Sequence, residues 1–137
     1  MRARGILPAG VAVFLVYMFL DWLLHAVFLG SAYQASTELW RPEAEMARYS
    51  LVMWLGTLFY AFFFVFVFSK GYEGRGIAEG LRFGLFIGLL IGVPVTAGFW
   101  ASMPVPNAIA LGWLIGGVIE NIAVGAVAAA VYRPVLG

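Results

Sequence analysis

Four long apolar stretches dominate this chain of 137 residues. They run over residues 6–29, 49–69, 77–103 and 106–132. Each exceeds the ~20 residues that a helix needs to cross ~30 Å of hydrocarbon at ~1.5 Å per residue. Because lipid cannot satisfy exposed backbone groups, and because four strands cannot close a barrel, the stretches must be helices. The sequence predicts an all-α, four-helix transmembrane bundle that forms a single integral membrane domain.

The composition also points to a bilayer as the solvent. Hydrophobic residues make up 64% of the chain and charged residues 11%, whereas an ordinary soluble domain is about 25% charged. A small soluble globule leaves too much of its surface in water to hide so many apolar side chains. The net charge of +1 gives no attraction for nucleic acid. The lipid bilayer is therefore the expected partner, and a nucleic acid is not.

Arginine and lysine are distributed unevenly between the two sides that the spans define. The side of the two termini and the second loop holds Arg2, Arg4, Lys70, Arg75, Arg82 and Arg133, and the other side holds Arg41 and Arg48. Cytoplasmic segments of membrane proteins are enriched in these two residue types. Both termini are therefore predicted to be cytoplasmic.

The segment between the first two spans is too long to be a plain turn. Its sequence Arg41-Pro42-Glu43-Ala44-Glu45 is typical of a helix start, with proline in the first turn and two acids near the positive end of the helix dipole. Residues 33–40 precede it, and Trp40 suits an anchor at the membrane–water interface. We predict a short external interfacial helix between spans one and two.

Small residues recur at helical spacing in the last two spans. The third span carries Gly80, Gly84, Gly88 and Gly92, and the fourth carries Gly112 and Gly116. A stripe of small residues on one helix face lets a second backbone approach closely. The stripes predict tight helix packing within the chain or between copies, and a path for a solute is the alternative.

Two ionisable residues interrupt the first span. Asp21 and His25 are four residues apart and share one helix face, roughly 13 Å and 7 Å below the outer helix end. Thr57 and Thr96 fall at about the depth of Asp21, so the four are predicted to form a polar layer. Ionisable groups within a span are costly and usually mark a function, here a proton, ion or ligand site. An Asp–His pair that only fixes helix packing is the alternative.

A second polar position lies near the middle of the fourth span. Glu120 shares a face with Gly112 and Gly116 and is predicted to point at a neighbouring helix, not at lipid. No lysine or arginine lies deep in a span to pair with it. Glu120 is the best single candidate for a functional residue. A neutral acid bonded to a backbone carbonyl or to Asn121 is the alternative.

The sequence offers little for metal or covalent chemistry. The chain has one histidine and no cysteine, which gives no recognised spacing of metal ligands, so no metal and no cofactor are predicted. The few serines lie near helix ends or in loops, and no nucleophile-elbow pattern is present. An enzyme is therefore disfavoured.

Several segments resemble a known group of proteins. They are Asp21-Trp22-Leu23-Leu24-His25, Leu39-Trp40-Arg41-Pro42-Glu43-Ala44-Glu45-Met46, residues 69–80 from Ser69 to Gly80, and Met103-Pro104-Val105-Pro106. Together they look like the short bacterial four-span inner-membrane proteins known as a family of domains of unknown function. The resemblance implies a multi-pass protein of the bacterial inner (plasma) membrane. It implies no activity.

Three functions stay open at this point. The first is a structural or accessory subunit that self-associates as a homo-oligomer or joins a larger membrane complex, because no catalytic group or soluble domain is apparent. The second is a small oligomeric transporter or channel that uses Glu120 and the Asp21–His25 pair. The third is a protein that binds a lipid or a quinone within the membrane.

Overall fold

The structure is a computed structural model that describes residues 3–133, and these residues are almost entirely helical, with no strand among them. In chain order the α-helices are α1 (Ala3–Trp22), α2 (Gly30–Gln34), α3 (Glu43–Arg48), α4 (Ser50–Lys70), α5 (Ile77–Ser102) and α6 (Asn107–Val131). A π-helical segment, Leu23–Phe28, continues α1, and a single 3₁₀ turn, Thr37–Leu39, lies between α2 and α3.

Four of the helices are long and apolar enough to cross a membrane. They are α1 with its π-helical extension (Gly5–Phe28), α4, α5 and α6, and their ends fall close to those of the predicted spans. The prediction of an all-α chain with four apolar helices is confirmed, and the architecture is that of a multi-pass membrane protein. The orientation of the termini and the external position of the helices between α1 and α4 stay predictions.

Helix α1 packs against α4 and α6, and α6 packs in turn against α5. Helices α4 and α5 meet at one end, where the ring of Phe83 lies 4.9 Å from that of Phe64 and 5.3 Å from that of Phe68. We call this the closed end of the bundle. The main buried cluster consists of Ala9, Val13, Ala61, Phe64, Val65, Phe68, Val124, Ala128, Ala129 and Tyr132.

The opposite end of the bundle, which we call the open end, is loosely packed. Every residue of α4 over 51–56 is exposed, and so is every residue of α5 over 97–102. A smaller cluster forms there, in which Tyr33 and Trp40 pack against the buried Val105. The connection between α1 and α4 thus lies over the start of α6 and leaves the exposed part of α4 uncovered.

The glycine stripe of α5 lies directly against α6. A side chain at Gly84 would clash with the backbone of α6, with its Cβ 2.7 Å from the carbonyl carbon of Asn121 and 2.8 Å from the Cα of Ile122. Gly80 and Gly125 face each other, and a Cβ on either would clash with the backbone oxygen of the other. The glycine Cα hydrogens therefore point at carbonyl oxygens, a contact common between tightly packed helices.

The two helices separate along the stripe. A Cβ at Gly88 would lie 3.0 Å from the Cα of Val118, and one at Gly92 would lie 3.3 Å from the side chain of Leu114. At Gly98 a Cβ would meet nothing within 4 Å. Backbone contact therefore holds α5 and α6 together near the closed end, and side chains separate them toward the open end.

Gly112 and Gly116 of α6 pack against leucine side chains that follow α1, and not against α5. A Cβ at Gly112 would lie 2.6 Å from the side chain of Leu29, and one at Gly116 would lie 2.5 Å from that of Leu24. These positions admit Leu24 of the π-helical extension and Leu29, which directly follows it. The small residues of α6 thus set the distance between α6 and α1.

A buried carboxylate organises the loop between α4 and α5. The two oxygens of Glu79 accept hydrogen bonds from the backbone N–H groups of Glu73 at 2.7 Å and Arg75 at 2.8 Å. Gly74 and Gly76 take φ values of +77° and +75°, which lets the loop turn its N–H groups inward. A carboxylate in the first turn of α5 also interacts favourably with the helix dipole.

We expect Glu79→Ala to lower the free energy of unfolding by about 1–2 kcal/mol, since two backbone donors lose their acceptor. The change is measured by unfolding in mixed detergent–SDS micelles. The matched control is Glu73→Ala, which removes a solvent-exposed ion pair with Arg75 and should cost at most about 1 kcal/mol. An equal loss in the two variants would contradict the loop-capping role of Glu79.

Candidate functional site

The Asp21–His25 pair lies where α1 changes to the wider π-helical geometry. Nε2 of His25 is 3.3 Å from Oδ1 of Asp21, and the two side chains are 40% and 42% exposed. π-Helical turns are rare and often occur at functional sites. The pair predicted from the i, i+4 spacing is therefore present, and it is reachable from outside the bundle.

Tyr33, in α2, connects this pair to α6. Its hydroxyl oxygen lies 2.6 Å from Nδ1 of His25 and accepts a hydrogen bond of 2.6 Å from Nε1 of Trp113. Its ring stacks on the imidazole with a centroid distance of 5.8 Å and an interplanar angle of 18°. The chain returns over α1 after the π-helical segment, and that return brings Tyr33 to His25.

A second set of contacts fixes Tyr33. The ring of Trp40 packs edge-on against Tyr33 and against Trp113, with centroids 5.4 Å and 6.0 Å apart. Nε1 of Trp40 donates to the hydroxyl of Ser36 at 3.0 Å, and that hydroxyl donates to the backbone oxygen of Ala32 at 2.8 Å. Ala32, Ser36 and Trp40 all lie in the connection between α1 and α4 that also contains Tyr33, so these bonds stabilise that connection.

The hydrogen bonds assign the proton positions in the pair. An indole N–H only donates, so the oxygen of Tyr33 accepts from Trp113 and its own hydrogen is free for Nδ1 of His25. Burial raises the pKa of the Tyr33 hydroxyl, although the bond from Trp113 acts in the opposite direction. Tyr33 therefore stays neutral at ordinary pH, and neutral His25 carries its hydrogen on Nε2, facing Asp21.

Glu120 is buried and lacks a partner for one oxygen. The residue is 5% exposed, and among the described residues nothing forms a hydrogen bond with its Oε1. Helix α1 packs against α6, and Leu24, in the π-helical extension that holds His25, contacts Gly116 one turn before Glu120. An unsatisfied polar atom in so apolar a place is costly. Glu120 therefore differs from a purely structural acid, whose two oxygens would be satisfied.

Two tyrosines border the same region. The rings of Tyr17 and Tyr60 pack against each other with centroids 4.9 Å apart. The hydroxyl of Tyr60 donates to Oδ1 of Asn121, whose Nδ2 donates to the backbone oxygen of Gly117 at 2.7 Å. Asn121 thus satisfies Tyr60 and its own helix, and leaves Glu120 without its amide.

The two threonines form no hydrogen bond with Asp21 or His25 among the described residues. Thr57 donates its hydroxyl to the backbone oxygen of Met53 at 3.1 Å, which is the usual bond of a threonine to its own helix. Thr96 lines a groove of about 360 Å³ between α5 and α6, together with Trp100 and Asn107. The polar layer of Asp21, His25, Thr57 and Thr96 stays a prediction.

The acids and the histidine do not converge as metal ligands. Within the described part of the chain, no three side chains of histidine, aspartate or glutamate come together in a group able to hold a metal ion. The arrangement instead offers one Asp–His pair, one separate buried carboxyl group and several aromatic rings. Such a site suits a proton or an organic group better than a coordinated metal.

Sequence reasoning missed four members of the site. Tyr17 was within reach, because it lies four residues before Asp21 and so shares the face of Asp21 and His25. Tyr33, Tyr60 and Trp113 carry no such signal, since each comes from another element. Their contacts depend on how the helices pack and on where the connection after α1 returns.

Comparisons of the chain with protein-family models, with curated proteins and with solved structures give no match. The function of the site must therefore be inferred from its own geometry and chemistry.

Proposed function

We propose that this protein is a small membrane carrier in which Glu120 binds and releases a proton as a solute is moved. The observation that carries the proposal is the buried, unpartnered Oε1 of Glu120 in a span. A carboxyl group with no cationic partner and no full set of donors is most stable when protonated, and it ionises only when a positive charge arrives. Such a group can exchange a proton for a cation.

The Asp21–His25–Tyr33 chain supports a proton route to this carboxyl group. Tyr33 donates toward one ring nitrogen of His25, and the other nitrogen faces Asp21. An imidazole can accept a proton at one nitrogen and release the other one, so it can pass a proton along such a chain. The route would lead from the open end to Asp21 and then to Glu120.

A pair of chains is part of the proposal. Four helices per chain are few for a solute path, and at the open end α4 is exposed over 51–56. Asp21 and His25 are too polar to face hydrocarbon at about 40% exposure, so water or a second copy must cover them. The positive-inside pattern and the family resemblance support a bacterial inner membrane, with the open end facing outward.

The decisive measurement is proton efflux from proteoliposomes that hold a trapped pH indicator. Vesicles acidified inside and diluted into alkaline buffer that contains sodium, tetramethylammonium or tetraphenylphosphonium in turn as the trial cation, with valinomycin and potassium to remove the membrane potential, should lose their gradient faster than protein-free vesicles with at least one of these cations. Glu120→Gln should slow this protein-dependent flux by about 100-fold, as expected for loss of a proton-transferring group. The control is Glu43→Gln, an exposed acid in α3 outside the site.

A flux that survives in Glu120→Gln would contradict the role of Glu120. A flux no greater than that of protein-free vesicles would contradict the carrier itself. The accessory, self-associating subunit would then be the better account, because it requires only the exposed apolar surface of α4 and the packing of α5 on α6.

A further inference from the structure

We propose that the solute is a lipophilic organic cation, a molecule with one positive charge and an apolar body, which binds between Glu120 and the rings of Tyr17 and Tyr60. This inference rests on the proposed carrier function and names its substrate class. It follows from the sign of the charges in the site, from the aromatic side chains near Glu120 and from the exposed apolar side chains around Asp21.

The charges of the site favour a cation. Of its ionisable groups, Asp21 and Glu120 are acids, and the only base, His25, is already paired with Asp21. Lys70 and Arg82 are the basic residues within the described spans, and they lie at the closed end, near the loop that joins α4 to α5. An anion would meet uncompensated acids, whereas a cation would supply the partner that Oε1 of Glu120 lacks.

The walls of the site favour an organic cation over a metal ion. No three ligand side chains converge among the described residues, so a small ion would have to keep water that the apolar surroundings do not provide. Tyr60 donates to Asn121, the residue after Glu120, and Tyr17 packs on the ring of Tyr60, so the two tyrosines offer aromatic rings at this turn of α6. A ring face attracts a cation within about 6 Å, most strongly when water is excluded.

The exposed surface around Asp21 and His25 favours a solute with an apolar body. Asp21 and His25 are about 40% exposed, and the side chains around them, such as Trp22 at 56%, are apolar and face outward. A lipophilic cation concentrates at the membrane interface and can approach Asp21 from there across these apolar side chains. A hydrophilic solute would lose hydration at this apolar surface and gain no contact in return.

Proton and cation should compete at Glu120. The titratable groups of the helices packed against this part of α6 are Tyr17 and Asp21 of α1, His25 of its π-helical extension, and Tyr60 of α4, which donates to Asn121. Helix α5 packs against this turn of α6 through Gly84 and Gly88, which carry no charge. When the cation binds, the neutral carboxyl group releases its proton to water and becomes a carboxylate, whose negative charge pairs with the cation.

The test uses tetraphenylphosphonium and its isosteric anion tetraphenylborate, which share shape and size but differ in the sign of the charge. Binding of each to the full-length protein in mild detergent is measured by isothermal titration calorimetry. We expect the cation to bind at least about 10-fold more tightly than the anion, a difference that a single buried charge easily supplies. Its affinity should rise with pH, and binding should release protons into a weakly buffered solution.

Three variants separate specific from nonspecific binding. Glu120→Gln should abolish the preference for the cation and the proton release, Glu120→Asp should retain both in weakened form, and Glu43→Gln should change neither. Equal binding of cation and anion, or an unchanged affinity in Glu120→Gln, would overturn the inference. Circular dichroism and gel filtration of each variant establish that it is folded.

The outcomes distinguish this inference from the carrier proposal. Binding of the phosphonium at Glu120 without proton flux in vesicles would support the site and reject the carrier. Proton flux that depends on Glu120, with no binding of the phosphonium, would keep the carrier and reject an organic cation as its solute.

Discussion

Gly84→Ala is expected to lower the free energy of unfolding by about 3 kcal/mol, the upper end of the range for overpacked sites, and Gly84→Val is expected to prevent folding. The added Cβ would clash with the backbone of α6, 2.7 Å from the carbonyl carbon of Asn121 and 2.8 Å from the Cα of Ile122. Backbone atoms cannot rotate away as a side chain can. The helices would have to move apart, and the reciprocal contact of Gly80 with Gly125 would be lost with them.

The matched control for this prediction lies in the same helix. Gly98 has nothing within 4 Å of its would-be Cβ, so Gly98→Ala should leave stability unchanged or raise it by up to about 1 kcal/mol through helix propensity. Unfolding of the three variants in mixed detergent–SDS micelles, followed by circular dichroism, gives the comparison. Similar stabilities of Gly84→Ala and Gly98→Ala would show that α5 and α6 do not touch as described.

Tyr33→Phe is expected to cost about 2 kcal/mol of stability, because two partly buried partners lose a hydrogen bond worth about 1 kcal/mol each. His25 Nδ1 and Trp113 Nε1 both depend on this one hydroxyl, and phenylalanine keeps the ring that stacks on the imidazole. The measurement is again unfolding in mixed micelles. Tyr49→Phe is the control, since Tyr49 is exposed and its ring lies under the guanidinium of Arg41, which needs no hydroxyl.

A double-mutant cycle sharpens this result. If Tyr33 and Trp113 act through the same hydrogen bond, the losses in Tyr33→Phe and Trp113→Phe should not add in the double variant. Strict additivity would mean that Tyr33 and Trp113 are not hydrogen-bonded. A Tyr33→Phe variant as stable as Tyr49→Phe would mean that the connection after α1 does not close over His25 in the membrane.

The candidate site combines features of the two ends of the bundle. The closed end is held by glycine contacts and by the aromatic cluster around Phe68, and it gives α6 a rigid support for Glu120 and Asn121. The open end leaves Asp21 and His25 accessible. A carrier needs both properties, because a proton-binding group must be held in place while its surroundings admit and release a solute.

The order and helical nature of the four spans follow from the sequence alone. Length and hydropathy determine them, because a stretch of more than 20 apolar residues has no other stable conformation in lipid. The Asp21–His25 contact is equally local, since residues four apart on a helix must be neighbours. The spacing of glycines marks Gly80 and Gly84 for close packing, although it does not say against which helix.

The tertiary structure alone decided which polar groups meet. Thr57 shares a depth with Asp21, and its hydroxyl donates to the backbone of Met53 in its own helix. Tyr33 reaches His25 because the chain returns after the π-helical segment, and Oε1 of Glu120 lacks a partner because the amide of Asn121 bonds to Tyr60 and Gly117. Periodicity along one helix constrains only that helix, whereas a contact between helices depends on their rotation and crossing. In this protein those quantities depend on where glycines allow backbones to touch.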